Sequence, residues 1–379
     1  MEWLASNNLI PLSWYRKMRA EEPVAYDEQS GAWSCFTYDT VKKVLSDHEH
    51  FSSQFQMSPT PKEPIESSIL RTDPPKHKQM RTLVSQVFTP RAIEALAPKI
   101  TGIAEELLAQ WAWKETVDFV SDFASPFPII VIAEMLGIPH EDRDRFKEWS
   151  DSLVGNDYDR YMQCQEEMSV YFADIAERRR REPKDDLISS LVTAQVDGEK
   201  LDEVELIGFC ILLLVAGNET TTNLLSSAAL CLDDRPDLYE ALFAERALVP
   251  SAVEEVLRYC SPVQSMQRRV RKETTLCGKR LSEGQYINVW MGAANHDEHA
   301  FADPETFDIR RSPNPHLAFG QGIHFCLGAP LARLEAKLAL TALLDRFRSI
   351  RRDRSVTLER VDSTIVFGVK RLPVSFDRR

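Results

Sequence analysis

The stretch Phe319-Gly320-Gln321-Gly322-Ile323-His324-Phe325-Cys326-Leu327-Gly328 decides the reading of this chain. It sets one cysteine at the end of a glycine-bearing loop, directly before a helix-like run from Ala329 to Leu344. A thiolate in that place suits the axial position of a haem iron. Gly322 and Gly328 lack a Cβ, so the backbone there can lie against a flat macrocycle and take up positive φ. Backbone N–H groups curling toward the sulfur would lower its basicity and tune the iron, and Phe319 would shield it from water. A lone cysteine is by default a buried small hydrophobe, so the flanking pattern carries the argument. A dinucleotide loop also uses such glycines, but it needs a third one where Phe325 stands.

Composition narrows the rest. The 379 residues exceed a typical domain but suit a large one-domain enzyme, and 43% hydrophobic residues can fill a substantial core. The net charge of −12 argues against a nucleic-acid partner. Seven scattered cysteines without a C-x-x-C pattern fit reduced cytosolic thiols better than disulfides or a zinc site. Met1 to Pro11 shows no targeting pattern. The longest nearly apolar run, Ile207 to Gly217, falls short of the roughly 20 residues of a membrane span. A soluble, cytoplasmic protein is expected, with no membrane association.

Along the chain, Leu12 to Glu22 reads as a helix stopped by Pro23. Val24–Tyr26 and Trp33–Phe36 alternate like a hairpin, and Asp39–Leu45 is helical. Phe51 to Leu70, with Pro59, Pro61 and Pro64, reads as a long functional loop. Asp73-Pro74-Pro75 opens a helix whose His77 and Arg81 share a face. Thr89-Pro90 starts another, running to Trp111. Helices follow around Ile129–Leu136, Asp142–Leu153 and Tyr158–Arg181, the last ending in four arginines read as a solvated helix end. Asp202 and Glu205 form a capping box. The helix they start is apolar all round through Ala216, hence buried. It then carries the polar run Gly217-Asn218-Glu219-Thr220-Thr221-Thr222-Asn223, where a bend is expected. Ser251-x-x-Glu254 reads as a second capping box, opening the helix of Glu255 and Arg258. Thr275–Leu281 and Gln285–Trp290 read as strands about Glu283-Gly284. Gly292–Leu317 reads as irregular, Leu331-x-x-Leu334-x-x-x-Leu338 as a core-facing helix side, and Thr357–Phe376 as strand-like. His296 and His299 lack the carboxylates a metal pair would need.

The Cys326 loop resembles, position for position, the haem-binding signature Phe-x-x-Gly-x-x-x-Cys-x-Gly of the cytochrome P-450 family. The likeness extends from Leu12 to Phe376. It is strongest, over Leu212–Asn223 and Ala318–Ala336, to soluble bacterial members from bacilli that oxidise fatty acids, terpenoids and steroids. The resemblance implies a mainly α fold with a small β region. In that fold a triangular helical prism buries haem between a long central helix and the cysteine loop. A single domain over residues 1–379 is expected.

The resemblance also implies roles. Cys326 would ligate the iron of haem b (iron protoporphyrin IX), with Phe319, Gly322, Gly328 and Ala216 around the cofactor. His77, Arg81, Arg269 and His324 match the family's propionate contacts. Thr220 would hold a water at the oxygen site, Glu219 would relay protons, and Gly217 would let the helix open to O2. Glu255 and Arg258 match a buried structural pair. Many relatives carry Arg where Thr306 stands, so the third partner is open, with Arg310 a candidate.

Leu213, Ala216, Val263, Met266, Ile365 and Val366 would wall a pocket for a hydrophobic small molecule, which would gain one oxygen atom of O2 at a C–H bond. No flavin or iron–sulfur segment is evident. Electrons from NAD(P)H would therefore arrive through a ferredoxin or flavodoxin with its reductase. Such a partner would dock near Lys76, Lys78, Arg333 and Lys337 on what is expected to be a monomer. A peroxide-driven enzyme of the same fold and a non-catalytic haem sensor or carrier are the alternatives. The pair Glu219-Thr220 argues against both.

Overall fold

A computed structural model describes residues 9–54, 64–154, 157–196 and 198–379. In the amino-terminal part, α1 (Leu12–Glu21) stops short of Pro23, and β1 (Val24–Asp27) and β2 (Ala32–Cys35) pair as the expected hairpin. Next come α2 (Tyr38–Ser46) and the short β3 (Phe51–Ser52). Part of the proline-rich loop, residues 55–63, lies outside the described residues. Its remainder forms two single 3₁₀ turns, Pro64–Ser67 and Ile69–Arg71, before α3 (Lys76–Val87).

Thr89 caps α4 (Pro90–Glu94) by accepting the Ala92 N–H at 3.2 Å. The single helix expected to Trp111 is in fact two. The chain breaks at Ala95 and Leu96, and α5 (Ala97–Ala109) restarts with Pro98 in its first turn. Proline in the interior of one long helix would remove a hydrogen bond and clash with the preceding turn, whereas a first turn accepts it.

β4 (Thr116–Asp118) leads to α6 (Pro126–Leu136), then α7 (Arg143–Val154) and α8 (Tyr158–Arg181). The arginines closing α8 are expected to form a solvated helix end, and one of them does not. Arg179 is buried and donates to Asp186 at 2.5 Å and to the Gly137 carbonyl at 3.0 Å. Asp186 also caps α9 (Leu187–Thr193).

α10 (Glu203–Asp234) is the central helix. Its capping box forms as expected, with Asp202 accepting the Glu205 N–H at 2.8 Å and Glu205 accepting the Asp202 N–H at 3.0 Å. It packs on α6, α7, α8 and four later elements: α11 (Pro236–Ala244), α12 (Val249–Tyr259), α14 (Ala329–Arg346) and β9 (Phe347–Arg352). α10 is long and apolar enough to cross a membrane, but most of its apolar stretch is buried against these neighbours. The helix runs unbroken through Gly217 rather than breaking there. At Gly217 a Cβ would come within 2.7 Å of Ile132 Cδ1, so the glycine serves close packing on α6.

Ser251 does not open α12. The helix begins at Val249, and the Ser251 hydroxyl donates to the carbonyls of Leu248 and Ile309.

β5 (Met266–Val270) and β8 (Tyr286–Val289) join the amino-terminal strands in a sheet ordered β1-β2-β8-β5-β3, with β2 and β8 parallel. The strand expected at Thr275–Leu281 is two, β6 (Thr274–Leu276) and β7 (Lys279–Leu281), folded at Cys277-Gly278, where both residues take positive φ. Local pairing thus claims the segment, and Gly284 only turns the chain toward β8. α13 (Met291–Ala294) interrupts the expected irregular stretch. After α14, β9 and β10 (Pro373–Arg378) form a sheet with β4. The strand-like region Thr357–Phe376 is a strand only from Pro373 onward, apart from the isolated bridges Arg360–Val369 and Val263–Val366.

Candidate functional site

The Cys326 loop is built by backbone contacts. The Cys326 N–H donates to the Phe319 carbonyl at 2.9 Å, and Gly320 N–H to Leu317 at 2.8 Å. Positive φ falls at Gly320 (+72°) and Gly322 (+74°) and not at Gly328 (−78°), correcting the expectation for that residue. A Cβ on Gly322 would meet the Leu45 carbonyl oxygen at 2.8 Å, so this glycine seats the loop on the end of α2.

Cys326 is solvent-accessible, yet protein surrounds it closely enough that burial pushes its thiol pKa up. Both hold for a side chain lining an enclosed cleft. The N–H groups of Gly328 and Ala329 and the guanidinium groups of Arg81 and Arg333 pull in the opposite direction. These are the local dipoles and charges that favour a thiolate.

Beside the loop lies a cluster of arginine and histidine side chains. The His77 and His324 rings stand 4.4 Å apart. Burial lowers both pKa values, His324 to about 3, and Arg268, His77, Arg81 and His48 add to the drop at His324. Arg81 sits near enough to Cys326 to feel its charge. Arg268 is buried, and burial lowers its pKa to about 10.

This corrects the assignment of Arg269. In β5 alternate side chains face opposite ways. Arg268 turns inward to the cluster, while Arg269 is exposed on the other face.

Among the described residues, neither Arg81 nor Arg268 makes an ion pair with a carboxylate. Nε2 of His77 and Nε2 of His324 are buried without a hydrogen-bond partner. Buried unpaired polar atoms cost about 1–3 kcal/mol each, so this cradle is built for anionic acceptors. Two propionates of a haem would supply them.

On α10, Leu213, Ala216, Gly217, Glu219 and Thr220 are partly or fully accessible and share a face by helical spacing. Ala216 is exposed although it sits mid-way along a buried helix. The Thr220 hydroxyl donates to the Ala216 carbonyl at 2.7 Å. Burial raises the Glu219 pKa, and no cation among the described residues pairs with it. Neighbouring polar groups are engaged elsewhere: Asn218 donates to Ser150 of α7, and Thr222 to the Ala124 carbonyl at 3.0 Å.

Among the expected pocket residues, Val263 and Val366 meet in a β-bridge and Gln264 N–H donates to Ile365 at 2.6 Å. Val263, Met266 and Val366 are half-buried, and Ile365 is exposed.

The Glu255–Arg258 pair is fully buried, with Nε–Oε2 at 2.8 Å and Nη2–Oε1 at 2.7 Å. The third partner is Arg311. Its Nε donates to Glu255 at 3.1 Å, whereas Arg310 pairs with Glu245 on the surface. Thr306 contributes only its carbonyl, which accepts from both Arg258 and Arg311. The adjacency of two arginines hides this choice in the sequence.

His296 is buried with Nδ1 against the Gly292 carbonyl at 2.9 Å, and His299 bonds Asp297. Of the four cations expected to form a docking patch, Lys76 pairs with Glu205 and Arg333 with Glu254, leaving Lys78 and Lys337 exposed.

Known proteins match this arrangement. The family model "Cytochrome P450" matches residues 131–375. The chain belongs to the cytochrome P450 family. Cytochrome P450 109 of Bacillus spizizenii is 45% identical over 380 residues, covering 97% of this chain and 92% of that protein. The substrate-free crystal structure of CYP109E1 from Bacillus megaterium superposes with a TM-score of 0.95 at 44% identity, covering 98% of this chain and 100% of that one. The same enzyme bound to testosterone gives 0.91 at 45% identity, covering 96% and 99%. This cytochrome P450 is thus a mainly α haem-dependent monooxygenase that uses O2 and NAD(P)H-derived electrons to hydroxylate hydrophobic small molecules. The residues present fit the cofactor: Cys326 offers a thiolate, and the cradle offers arginine donors and buried histidine nitrogens without a partner among the described residues.

Proposed function

We propose that Cys326 would ligate the iron of a bound haem, and that His77, Arg81, Arg268 and His324 would hold its propionates. The observation that carries this reading is a cradle of arginines and partnerless buried histidine nitrogens beside a cysteine held by its own loop. Haem so held supplies the binding and reductive activation of O2.

Thr220 and Glu219 manage protons on the α10 side. Thr220 already donates to Ala216, so its oxygen lone pairs remain free to hold a water. Glu219, with its pKa raised by burial, can take and release a proton nearer neutrality than an exposed carboxylate. Gly217 keeps α10 seated on α6, and Ala216 presents a small apolar surface to the substrate. Glu255, Arg258 and Arg311 fix the frame behind the cysteine loop.

Leu213, Ala216, Val263, Met266, Ile365 and Val366 line the substrate side. Their apolar character, with steroid complexes in CYP109E1, points to a steroid-sized or fatty-acid-like substrate. Electrons come from a separate ferredoxin or flavodoxin docking near the exposed Lys78 and Lys337. We read residues 1–379 as one domain, acting in the cytoplasm as a monomer.

The test is Thr220→Ala with a supported substrate and a surrogate reductase–ferredoxin pair. Product per electron pair should fall severalfold while hydrogen peroxide release rises. Unchanged product and peroxide would refute the proton role. Cys326→Ser should abolish the strongly red-shifted Soret band of the reduced carbon monoxide complex. A difference spectrum against steroids and fatty acids would then identify which class displaces the iron's water.

A further inference from the structure

A second network lies behind the Cys326 loop, and the chemistry above does not use it. Glu254 precedes Glu255 on α12 but has separate partners. Its carboxylate accepts Arg333 Nε at 2.7 Å and Nη2 at 2.8 Å, a two-pronged contact, and lies 3.0 Å from His316 Nε2. His316 Nδ1 accepts the Ala318 N–H at 3.3 Å, so Nε2 carries the proton and donates it to Glu254.

Both partners grip the same ring. The Arg333 guanidinium lies over Phe319, 4.5 Å from the ring centroid, and the His316 ring is 6.0 Å from it. Phe319 is the residue whose carbonyl accepts the Cys326 N–H. Two elements therefore meet at one aromatic side chain of the Cys326 loop, α14 through Arg333 and the approach to the loop through His316, and α12 joins them through Glu254.

The chemistry of each link is strong for its kind. A forked arginine–carboxylate contact fixes orientation as well as distance. A cation over an aromatic face is attracted by the ring's quadrupole. Burial would raise the Glu254 pKa, yet Arg333 and His316 hold it down at about 2, so the carboxylate stays charged. His316 is 3% exposed in its side chain and Arg333 38%, so the network runs from the surface inward.

We propose that Glu254 is a positioning residue for the haem thiolate. By clamping Arg333 and His316 on Phe319, it fixes the residue whose carbonyl holds the Cys326 N–H and keeps water from the loop that carries the sulfur. This rests on the reading of Cys326 as the iron ligand.

The experiment compares haem-loaded wild type with Glu254→Gln, Arg333→Lys, Phe319→Ala and Lys337→Ala. Glutamine keeps the size of Glu254 without its charge. Lysine keeps the charge of Arg333 without its fork. Lys337→Ala removes a nearby exposed charge as a control. The readout is the rate at which the red-shifted carbon monoxide band gives way to the ordinary short-wavelength band under mild denaturant. Haem content and helical circular dichroism are checked beforehand.

The expected result is severalfold faster loss in Glu254→Gln and Arg333→Lys, with wild-type band stability in Lys337→Ala, whatever its effect on reduction by the partner protein. Glu254→Gln added to Phe319→Ala should be no worse than Phe319→Ala alone, because both act through one ring. Equal band stability in all variants, with slower reduction by the partner protein, would overturn the proposal and leave a docking surface. Additive losses in the double variant would overturn it too, since Glu254 would then act elsewhere. A wild-type protein that never gives the red-shifted band would sink the ligand assignment itself, a separate failure.

Discussion

Two clusters of arginine and histidine flank the cysteine loop, and they are built on opposite plans. Around Glu255, each charge is answered. Arg258 spends its donors on Glu255, Asn295, Pro304 and Thr306, and Arg311 on Glu255, Ala302, Asp303 and Thr306. Around His77 and His324, ring nitrogens lie buried without partners among the described residues, and Arg81 and Arg268 make no ion pair there. The first cluster is complete as folded. The second is complete only with an anion. Perturbed, unsatisfied groups mark binding sites more reliably than charge alone.

The largest effect that would break this contrast is in the first cluster. Arg258→Ala leaves a buried carboxylate short of its main partner and should cost about 3–5 kcal/mol, seen as a large drop in the urea midpoint of the haem-free protein. In the second cluster, Arg268→Ala should leave haem-free stability within about 1 kcal/mol. It should weaken haem retention by about 1.5–3 kcal/mol, or roughly ten- to a hundredfold, measured by haem transfer to apomyoglobin.

A pH series sharpens the difference. Burial lowers the His296 pKa to about 3, below its unfolded value. Between those values the unfolded chain binds the extra proton, so stability is present at neutral pH and falls as pH drops below about 6.5. The slope approaches about 1.4 kcal/mol per pH unit. His296→Asn should flatten that slope in urea titrations, with or without haem. The smallest effect belongs to Arg269→Ala, expected within about 0.5 kcal/mol in both stability and haem retention. An equal loss of haem from Arg269→Ala and Arg268→Ala would erase the inside–outside distinction in β5.

Local chemistry made much of this legible from sequence. The capping box at Asp202 and Glu205, the Thr89 cap and the full extent of α8 follow from residue types at fixed spacing. The loop motif pointed directly at Cys326. What sequence could not reach was the choice between neighbours. Arg268 or Arg269, and Arg310 or Arg311, differ by one position, and only strand register or tertiary packing decides which turns inward. Ser251 and Glu254 satisfied a capping pattern by spacing alone, but tertiary partners claimed both side chains. The short helices α9 and α11 lack a run long enough to announce a period.

The pairing of β2 with β8 joins Ala32–Cys35 to Tyr286–Val289, strands separated by roughly 250 residues of chain. During synthesis the amino-terminal ribbon must therefore wait, with one edge open, until three quarters of the polypeptide has left the ribosome. A fragment ending before Tyr286 would keep that edge bare and ready to recruit another chain. Truncated expression products of this protein should accumulate as aggregates rather than as soluble pieces.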